Sequence, residues 1–353
     1  STVTPKSGYK FDKWTDDAGK SFKDNAALRE ASYSVDQTFT AHFTERADLH
    51  YEIHYFYEDA NGVVTEDTAS AIVSNSGVFG EKILKTAVAK ESEFNGKHYV
   101  LERIEGADKQ VGFDPDENIV NVYYSIDVIG KENPDEPDNI PDKYQITFTY
   151  VSADADKGTV TGTTREVVTT YEITRDSVTG EIIVGNGPTA QHPTQPSTVT
   201  AKAGYKFDKW TDEDQKSFDD DAALKAASYL EDQTFTAHFT ATEQTYRVKY
   251  LDEDKNVEIR DMSDPRDAHF GDEIKGYTEK IEISGYTFVR ADDLTVGTDN
   301  EQNIVNVYYS EDTNEDDIPD KYQITFTYVS ADADKGTVTG TTSEVATTYE
   351  ITR

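Results

Sequence analysis

The sequence predicts a mainly β protein with short helices, arranged as a tandem array of small modules. The first 44 residues recur as residues 197–240 with most positions unchanged, and residues 140–175 recur as residues 318–353 with only two positions changed. Short runs that alternate apolar and polar residues, such as Thr38–Phe43, are typical of half-buried strands. Turns rich in glycine and aspartate separate these runs. We therefore expect an elongated array of two repeated units, which we call A and B.

The repeats divide the chain into seven segments. In order, these are the C-terminal half of an A module (1–44), a B module (49–125), an acidic, proline-containing linker (126–142), a complete A module (144–240), a second B module (246–310), a second acidic linker (311–320) and the N-terminal half of a third A module (322–353). The chain has no initiator methionine and ends within a repeat. We therefore expect it to be part of a longer protein.

Local patterns predict the main elements of each module. Residues 144–150 alternate so that Tyr144, Ile146, Phe148 and Tyr150 share one face of a strand. Residues 25–31 are helix-like, and residues 170–184 read as a hairpin around a turn at 177–180. In the B modules, residues 51–57 and 119–124 predict the first and last strands, and residues 246–250 and 303–309 repeat this arrangement.

Composition restricts the classes of partner and compartment. The chain has 34 basic and 69 acidic residues, a formal net charge of −35. Such a charge repels phosphate backbones and anionic lipid, so we expect neither nucleic acid nor a membrane as a partner. There is no cysteine and no apolar run long enough to span a bilayer. The absence of cysteine favours an extracellular protein.

The residue inventory argues against an enzyme. The sequence lacks a catalytic cysteine, the G-x-S-x-G and H-E-x-x-H motifs and a phosphate-binding glycine loop. The seven histidines occur singly in separate segments. Adjacent carboxylates are expected by chance in so acidic a chain. We therefore expect no catalytic residues.

Both modules resemble repeats of Gram-positive surface proteins. Unit B resembles the mucin-binding-protein (MucBP) repeat in residues 246–254, in Gly271–Asp272 and Gly285–Tyr286, and in the closing Val305–Tyr309. Unit A is similar to the divergent internalin-type B repeat in Gly204–Trp210 and Thr234–Phe239, but residues 176–196 form an insertion that a typical short repeat lacks. The resemblance implies β-grasp, ubiquitin-like modules strung along an adhesin or stalk, without catalytic residues.

The acidic linkers resemble the calcium motif of bacterial thrombospondin type 3 repeats, D-x-D-x-D-G-x-x-D. In the second linker the oxygen ligands would be Asp312, Asn314, Asp316 and Asp320, and Asp317 replaces the glycine. In the first linker, Pro134 falls at position one and Asn139 at the glycine position. The resemblance implies a calcium site at the second linker. The alternative is a solvated acidic hinge.

Two functions remain open after these steps. The first is a structural spacer that projects a distal domain from the cell wall, or forms a fibre. The second is direct binding of a host glycoprotein, such as mucin or immunoglobulin, by the modules. The half modules at the two ends are complementary, so we also expect head-to-tail self-association through residues 322–353 of one copy and residues 1–44 of the next.

Overall fold

The computed structural model describes residues 2–194 and 198–349. These residues form β-strands throughout, with two α-helices of five residues each and four short 3-10 helices. The prediction of a mainly β fold with short helices is thus confirmed. Parts of three predicted segments lie outside the described residues: Ser1, residues 195–197 of the complete A module, and residues 350–353 of the third.

The chain forms two compact units, and the boundary between them runs through the complete A module. Unit 1 comprises residues 1–150, 163–196 and 221–235. Unit 2 comprises residues 151–162, 197–220 and 236–353. Each unit contains one B module and one acidic linker.

The first A segment, in unit 1, is a three-stranded antiparallel sheet. Its elements are β1 (Tyr9–Thr15), β2 (Ser21–Phe22), α1 (Asn25–Arg29) and β3 (Thr40–Glu45), with strand order β2-β1-β3. Asp24 caps α1, because its carboxylate accepts a hydrogen bond from the Ala27 N–H at 2.8 Å. The buried Trp14 donates its indole N–H to Asn25 at 2.7 Å. The helix is short, as the sequence predicts.

The first B module, also in unit 1, is a mixed six-stranded sheet. Its elements are β4 (Leu49–Glu58), β5 (Val64–Glu66), β6 (Ile72–Gly77), β7 (Glu91–Phe94), β8 (Lys97–Glu105), the 3-10 helix η1 (Pro115–Glu117) and β9 (Ile119–Ile126). The order is β5-β4-β9-β8-β7, and β6 also pairs with β4. The first and last strands, β4 and β9, are parallel neighbours. Their inward residues, including Ile53, Val120 and Val122, form the core.

The complete A module contributes strands to both units. After the 3-10 helix η2 (Asp142–Tyr144), its elements are β10 (Gln145–Ser152), β11 (Gly158–Thr161), β12 (Arg165–Thr169), β13 (Ile173–Arg175), β14 (Ile182–Val184), β15 (Thr198–Ala201), β16 (Tyr205–Thr211), β17 (Ser217–Phe218), α2 (Asp221–Lys225) and β18 (Gln233–Ala241). In unit 1, β10 pairs with β12, and β13 with β14 as the predicted hairpin. In unit 2, β11 pairs with β15, and β16 pairs with β17 and β18.

The second B module, in unit 2, repeats the central strand pair of the first. Its elements are β19 (Glu243–Asp252), β20 (Val257–Arg260), β21 (Arg266–His269), β22 (Glu273–Ile274), η3 (Gly276–Glu279), β23 (Tyr286–Ala291), β24 (Leu294–Thr295) and β25 (Ile304–Glu311). The order is β20-β19-β25-β23, and β19 and β25 are parallel. The β-grasp assignment of both B modules stays a prediction.

The last described segment exposes a face that the complete A module buries. After η4 (Asp320–Tyr322), β26 (Gln323–Thr327) pairs with β27 (Ser343–Thr347) in the register of β10 and β12. Phe326 is 45 % exposed, whereas its counterpart Phe148 is fully buried, against Tyr229 and Phe235 at ring-centroid distances of 6.0 and 5.7 Å. The face that Tyr229 and Phe235 cover in the complete A module is therefore uncovered in this segment.

The repeat supplies a matched test of this packing. We expect Phe148→Ala to destabilise the complete A module by about 3–5 kcal/mol, because it opens a cavity in a buried aromatic cluster. Phe326→Ala should cost about 0.5 kcal/mol or less, because that ring is already half exposed. Hydrogen exchange over residues 145–169 and 323–347 measures both changes. Equal losses of protection would contradict the assignment of the core.

Candidate functional site: the junctions between modules

The junction from A to B is built in the same way in both units. In unit 2, β18 and β19 are separated by Thr242 alone. The Thr242 N–H donates to Gly204 O at 2.9 Å, and the Phe270 N–H donates to Thr242 O at 3.0 Å. The Phe270 ring lies over Gly204 and contacts Tyr205 edge-on, with ring centroids 5.3 Å apart. One residue thus joins the two modules through its backbone.

Unit 1 repeats this junction with different side chains at the connecting position. Arg46 takes the place of Thr242, its N–H donates to Gly8 O at 2.9 Å, and its carbonyl accepts from the Phe79 N–H at 2.9 Å. The Phe79 ring lies over Gly8, again with its centroid 5.3 Å from that of the following tyrosine. A Cβ at either glycine would lie 2.4 Å from the ring. Only glycine fits, and both have φ near +86°.

The junction from B to A passes through a linker that is folded around a buried carboxylate. Asp127 is fully buried, and its carboxylate accepts the N–H groups of Asp138 and Asn139 at 3.1 and 2.8 Å. Burial raises the pKa of Asp127 to about 6, although these two backbone N–H groups act in the opposite direction. Asp142 accepts the N–H of Val128 at 2.9 Å. These contacts hold the two ends of the linker together.

The second linker has the same arrangement, and it contains the four predicted calcium ligands. The buried Asp312 accepts the N–H groups of Asp316 and Asp317 at 3.2 and 2.9 Å. Asp320 accepts the N–H of Thr313 at 3.2 Å. The Asn314 side chain donates to Asp316 at 3.1 Å. The four candidates are therefore brought together in one loop, where N–H donors occupy carboxylate oxygens of the three aspartates.

In the described part of the chain, no group of three or more His, Asp or Glu side chains is arranged to hold a metal ion. The calcium hypothesis for Asp312, Asn314, Asp316 and Asp320 stays a prediction. One detail of the motif is explained by the backbone: Asn139 and Asp317, at the glycine position, have φ of 69° and 67°. That left-handed conformation is the one for which glycine is favoured.

The structure corrects the sequence alignment of the first linker. Asp127, and not Pro134, occupies the place of Asp312, because both carboxylates accept the same pair of N–H groups. The segment from Asp127 to Asp138 is seven residues longer than the segment from Asp312 to Asp316. Because of this extra length, Asp127 lies too far from Asn139 in the sequence to match the spacing of the motif.

An ion-pair cluster joins the first B module to the start of the complete A module. Lys143, in η2, contacts Glu58 at 2.7 Å and Glu102 at 2.8 Å. Glu102 also accepts hydrogen bonds from Ser125 at 2.5 Å and from the Tyr144 hydroxyl at 3.0 Å. Although burial opposes the charged form, Lys143 and Ser125 hold the pKa of Glu102 below its usual value. In unit 2, Lys321 contacts Glu253, at the place of Glu58, at 3.4 Å and the neighbouring Asp254 at 2.9 Å.

The insertion of the A module docks on the first B module. The side chain of Arg175, at the end of β13, donates to Asn139 O at 2.6 Å and to Leu101 O at 3.2 Å. Glu181, across the hairpin, accepts the N–H of Ile104 at 2.6 Å. The Leu101 carbonyl and the Ile104 N–H both belong to β8, in the part of the strand that does not pair with β7. The hairpin therefore covers an otherwise open sheet edge.

No pattern in the sequence points to these contacts. Arg175 and Leu101 are 74 residues apart, and the acceptor is a backbone carbonyl that any residue would supply. The glycine and phenylalanine of the A-to-B junction are likewise separated by most of a module. Chemically, the charged groups of the junctions are engaged with one another and with backbone atoms. What the arrangement can do is fix neighbouring modules.

A glycine substitution tests the A-to-B junction. We expect Gly204→Ala to destabilise it by about 1–3 kcal/mol beyond the backbone strain, because the new methyl group displaces the Phe270 ring. Gly271→Ala is the control: its φ is +84°, yet its added Cβ would meet nothing within 4 Å. That variant should show the strain alone, about 1 kcal/mol. Amide exchange of Thr242 and Phe270 measures the difference, and equal effects of the two variants would contradict the contact.

Comparison with known proteins agrees with the assignment of unit A. No curated protein shows significant similarity to the chain. In the residues that the structure describes, no helix is long and apolar enough to cross a membrane. The resemblance of unit B to MucBP repeats stays a prediction. Residues 1–47 and 149–243, which include the first A segment and nearly all of the complete A module, match the family model of the Divergent InlB B-repeat domain.

Proposed function

We propose that this chain is a non-catalytic spacer segment of a bacterial surface protein, exposed outside the cell and either anchored to the cell wall or secreted. The match of the A segments to a surface-repeat family supports this proposal. So does the net charge of −35, which keeps a repetitive protein soluble and disfavours nucleic acid and membranes as partners.

The observation that carries the proposal is the duplicated A-to-B junction. In each unit one connecting residue, Arg46 or Thr242, is hydrogen-bonded through its backbone to both modules, and the same glycine, tyrosine and phenylalanine contacts recur at the same distance. A module that binds its ligand alone has no need of a fixed neighbour. A spacer does, since its reach depends on the stiffness of each connection.

A second candidate function is direct binding of a host glycoprotein, such as mucin or immunoglobulin. One observation favours it: each B module carries an arginine stacked on a tyrosine on its outward face. Arg103 lies 3.7 Å from the ring centroid of Tyr123, and Arg290 lies 3.7 Å from that of Tyr308. Both arginines are about half exposed. Such pairs are suited to polar, planar or sugar ligands.

Binding measurements separate the two functions. We expect the chain to show no saturable binding of mucin or immunoglobulin at micromolar concentration in biolayer interferometry. If saturable binding is observed, the spacer proposal is overturned. Binding through the stacked arginines would then be lost in the Arg103→Ala, Arg290→Ala double variant and retained in Arg260→Ala, which removes an exposed arginine from another site.

We also propose that two copies associate through residues 322–349 of one and the first A segment of the other. The apolar residues Ile324, Phe326 and Tyr328 are 45–48 % exposed. In the first A segment, β3 begins at Thr40, whereas β18 in the complete module begins at Gln233, three residues earlier in the repeat. The strand β3 is thus shorter than β18 in the segment that has no counterpart of β10 beside it. Residues 322–349 contain such a counterpart, β26, and β26 has no counterpart of β18 beside it.

Sedimentation equilibrium tests this association. We expect the average mass to rise with protein concentration, because the exposed aromatic faces bury each other. Phe326→Asp should hold the chain at the monomer mass, since a carboxylate at the contact would be desolvated. Val178→Asp, at a position 84 % exposed in a turn, is the control and should leave the mass unchanged. A monomer at all concentrations would exclude this contact.

A further inference from the structure

Three titratable side chains follow one another on the outward face of β4. His50, Glu52 and His54 occupy every second position, so they share one face of the strand. The opposite face carries Ile53 and Tyr57 in the core. The three outward side chains are 22–29 % exposed. They are thus accessible to protons and partly shielded from water.

His54 lies between two carboxylates. Its Nε2 is 2.7 Å from a carboxylate oxygen of Glu52, and its Nδ1 is 2.6 Å from one of Glu66 on β5. His50 contacts the other oxygen of Glu52 through Nε2 at 2.8 Å, and Asn75 on β6 through Nδ1 at 2.8 Å. The cluster therefore connects β4 to both strands that pair with its outer edge.

The proton count of His54 is fixed by this geometry. An ionised carboxylate can only accept hydrogen bonds, and a neutral imidazole carries a single N–H. Both short contacts are therefore satisfied only by the doubly protonated, positively charged ring. Loss of one proton would place a nitrogen lone pair against a carboxylate oxygen.

Besides the ion pair at Glu66, β5 is held, among the residues described, only by its backbone pairing with β4 and by the turn at residues 59–63 that precedes it. The strand has three residues, all of them exposed, and pairs with β4 only between Phe56 and Glu58. Its burial of apolar surface is small, so the ion pair at Glu66 is a large part of what keeps it on the sheet. The N–H of Asp67, directly after β5, donates to Tyr55 O at 2.9 Å and reports on the same attachment.

The second B module has a lysine in place of the histidine at the ion pair between these two strands. In the strand register, Lys249 stands where His54 stands and Glu258 where Glu66 stands. Lys249 Nζ contacts Glu258 at 2.8 Å. Lysine keeps its charge far above neutral pH, whereas histidine loses its charge near it. The two modules therefore differ in how their edge strands respond to pH.

We propose that His54 is a pH-sensitive latch that holds β5 on the first B module when the imidazole is protonated and releases it when the proton is lost. Release uncovers the edge of β4 from Phe56 to Glu58. The inference is independent of whether the chain is a spacer or a binder.

The surroundings of His54 set the direction of the response. The groups that face the cluster are Glu52 on β4, Glu66 on β5, Asn75 on β6, Asp116 on η1, and Asn121 opposite His54 on β9. The hydrogen bond to Glu66 raises the pKa of His54 above 6.5, with Glu52 acting in the same direction and burial against it. A raised folded-state pKa means that the stabilisation is complete below the unfolded pKa and is lost as pH rises through the folded one.

Nuclear magnetic resonance of the full chain tests the latch. We expect the protection factor of the Asp67 amide to be constant below about pH 6.5 and to fall as the pH rises above that value. The fall should be about tenfold for each unit by which the His54 ring, titrated in the same sample, exceeds its ordinary pKa. His54→Lys, which introduces the cation of the second module, should keep protection constant as the pH rises. His54→Gln should show the low protection at every pH.

Three outcomes would overturn the proposal. One is a His54 ring that titrates at or below pH 6.5. Another is the same pH dependence of Asp67 protection in wild type and in His54→Lys. The third is full acid-pH protection in His54→Gln. Val122, a core residue of β9, serves as the internal control, because its amide should keep its protection in all three proteins if the module stays folded.

Discussion

The close approach of a phenylalanine ring to a glycine backbone is the contact on which the arrangement of modules depends. Only Thr242 lies between β18 and β19, so the linker is too short for the two modules to move independently. Gly204 lacks the Cβ that would meet Phe270, and its left-handed φ turns the backbone so that its carbonyl accepts from Thr242. Since Gly8 and Phe79 repeat this contact, the junction is a property of the repeat and not of one copy.

The acidic linkers show how composition can mislead. Residues 126–142 have the polar, proline-containing character of a hinge, yet Asp127 is fully buried and organises the segment by accepting two backbone N–H groups. A carboxylate is a strong acceptor, so a few well-placed aspartates can replace the strand ladder as partners of loop N–H groups. The charge that suggests solvation is used here to satisfy the backbone.

The sequence predicted the strands and helices better than the contacts between them, because the former depend on neighbouring residues and the latter on distant ones. Alternation in Tyr144–Tyr150 and the short helix after Asp24 depend on neighbouring residues, and both were predicted. The hairpin 173–184 was also predicted, but its contacts with β8 were not. Arg175 recognises the carbonyl of Leu101, and every residue has a carbonyl, so no residue type marks the place. The linker alignment failed similarly, because extra residues after Asp127 hid a partner that only the fold brings close.

The two B modules separate what the repeat requires from what one copy adds. The glycine-facing phenylalanine, the stacked Arg–Tyr pair and the lysine that joins B to A occur in both modules, although the rest of the two sequences differs. Because both modules keep these features, they belong to the shared structure of the B module and not to one copy. The exchange of His54 for Lys249 keeps the strand register and the glutamate partner while changing the range of pH in which the pair holds. Because the fold accommodates either cation at that site, the residue found there can differ between modules and set the pH response of each one.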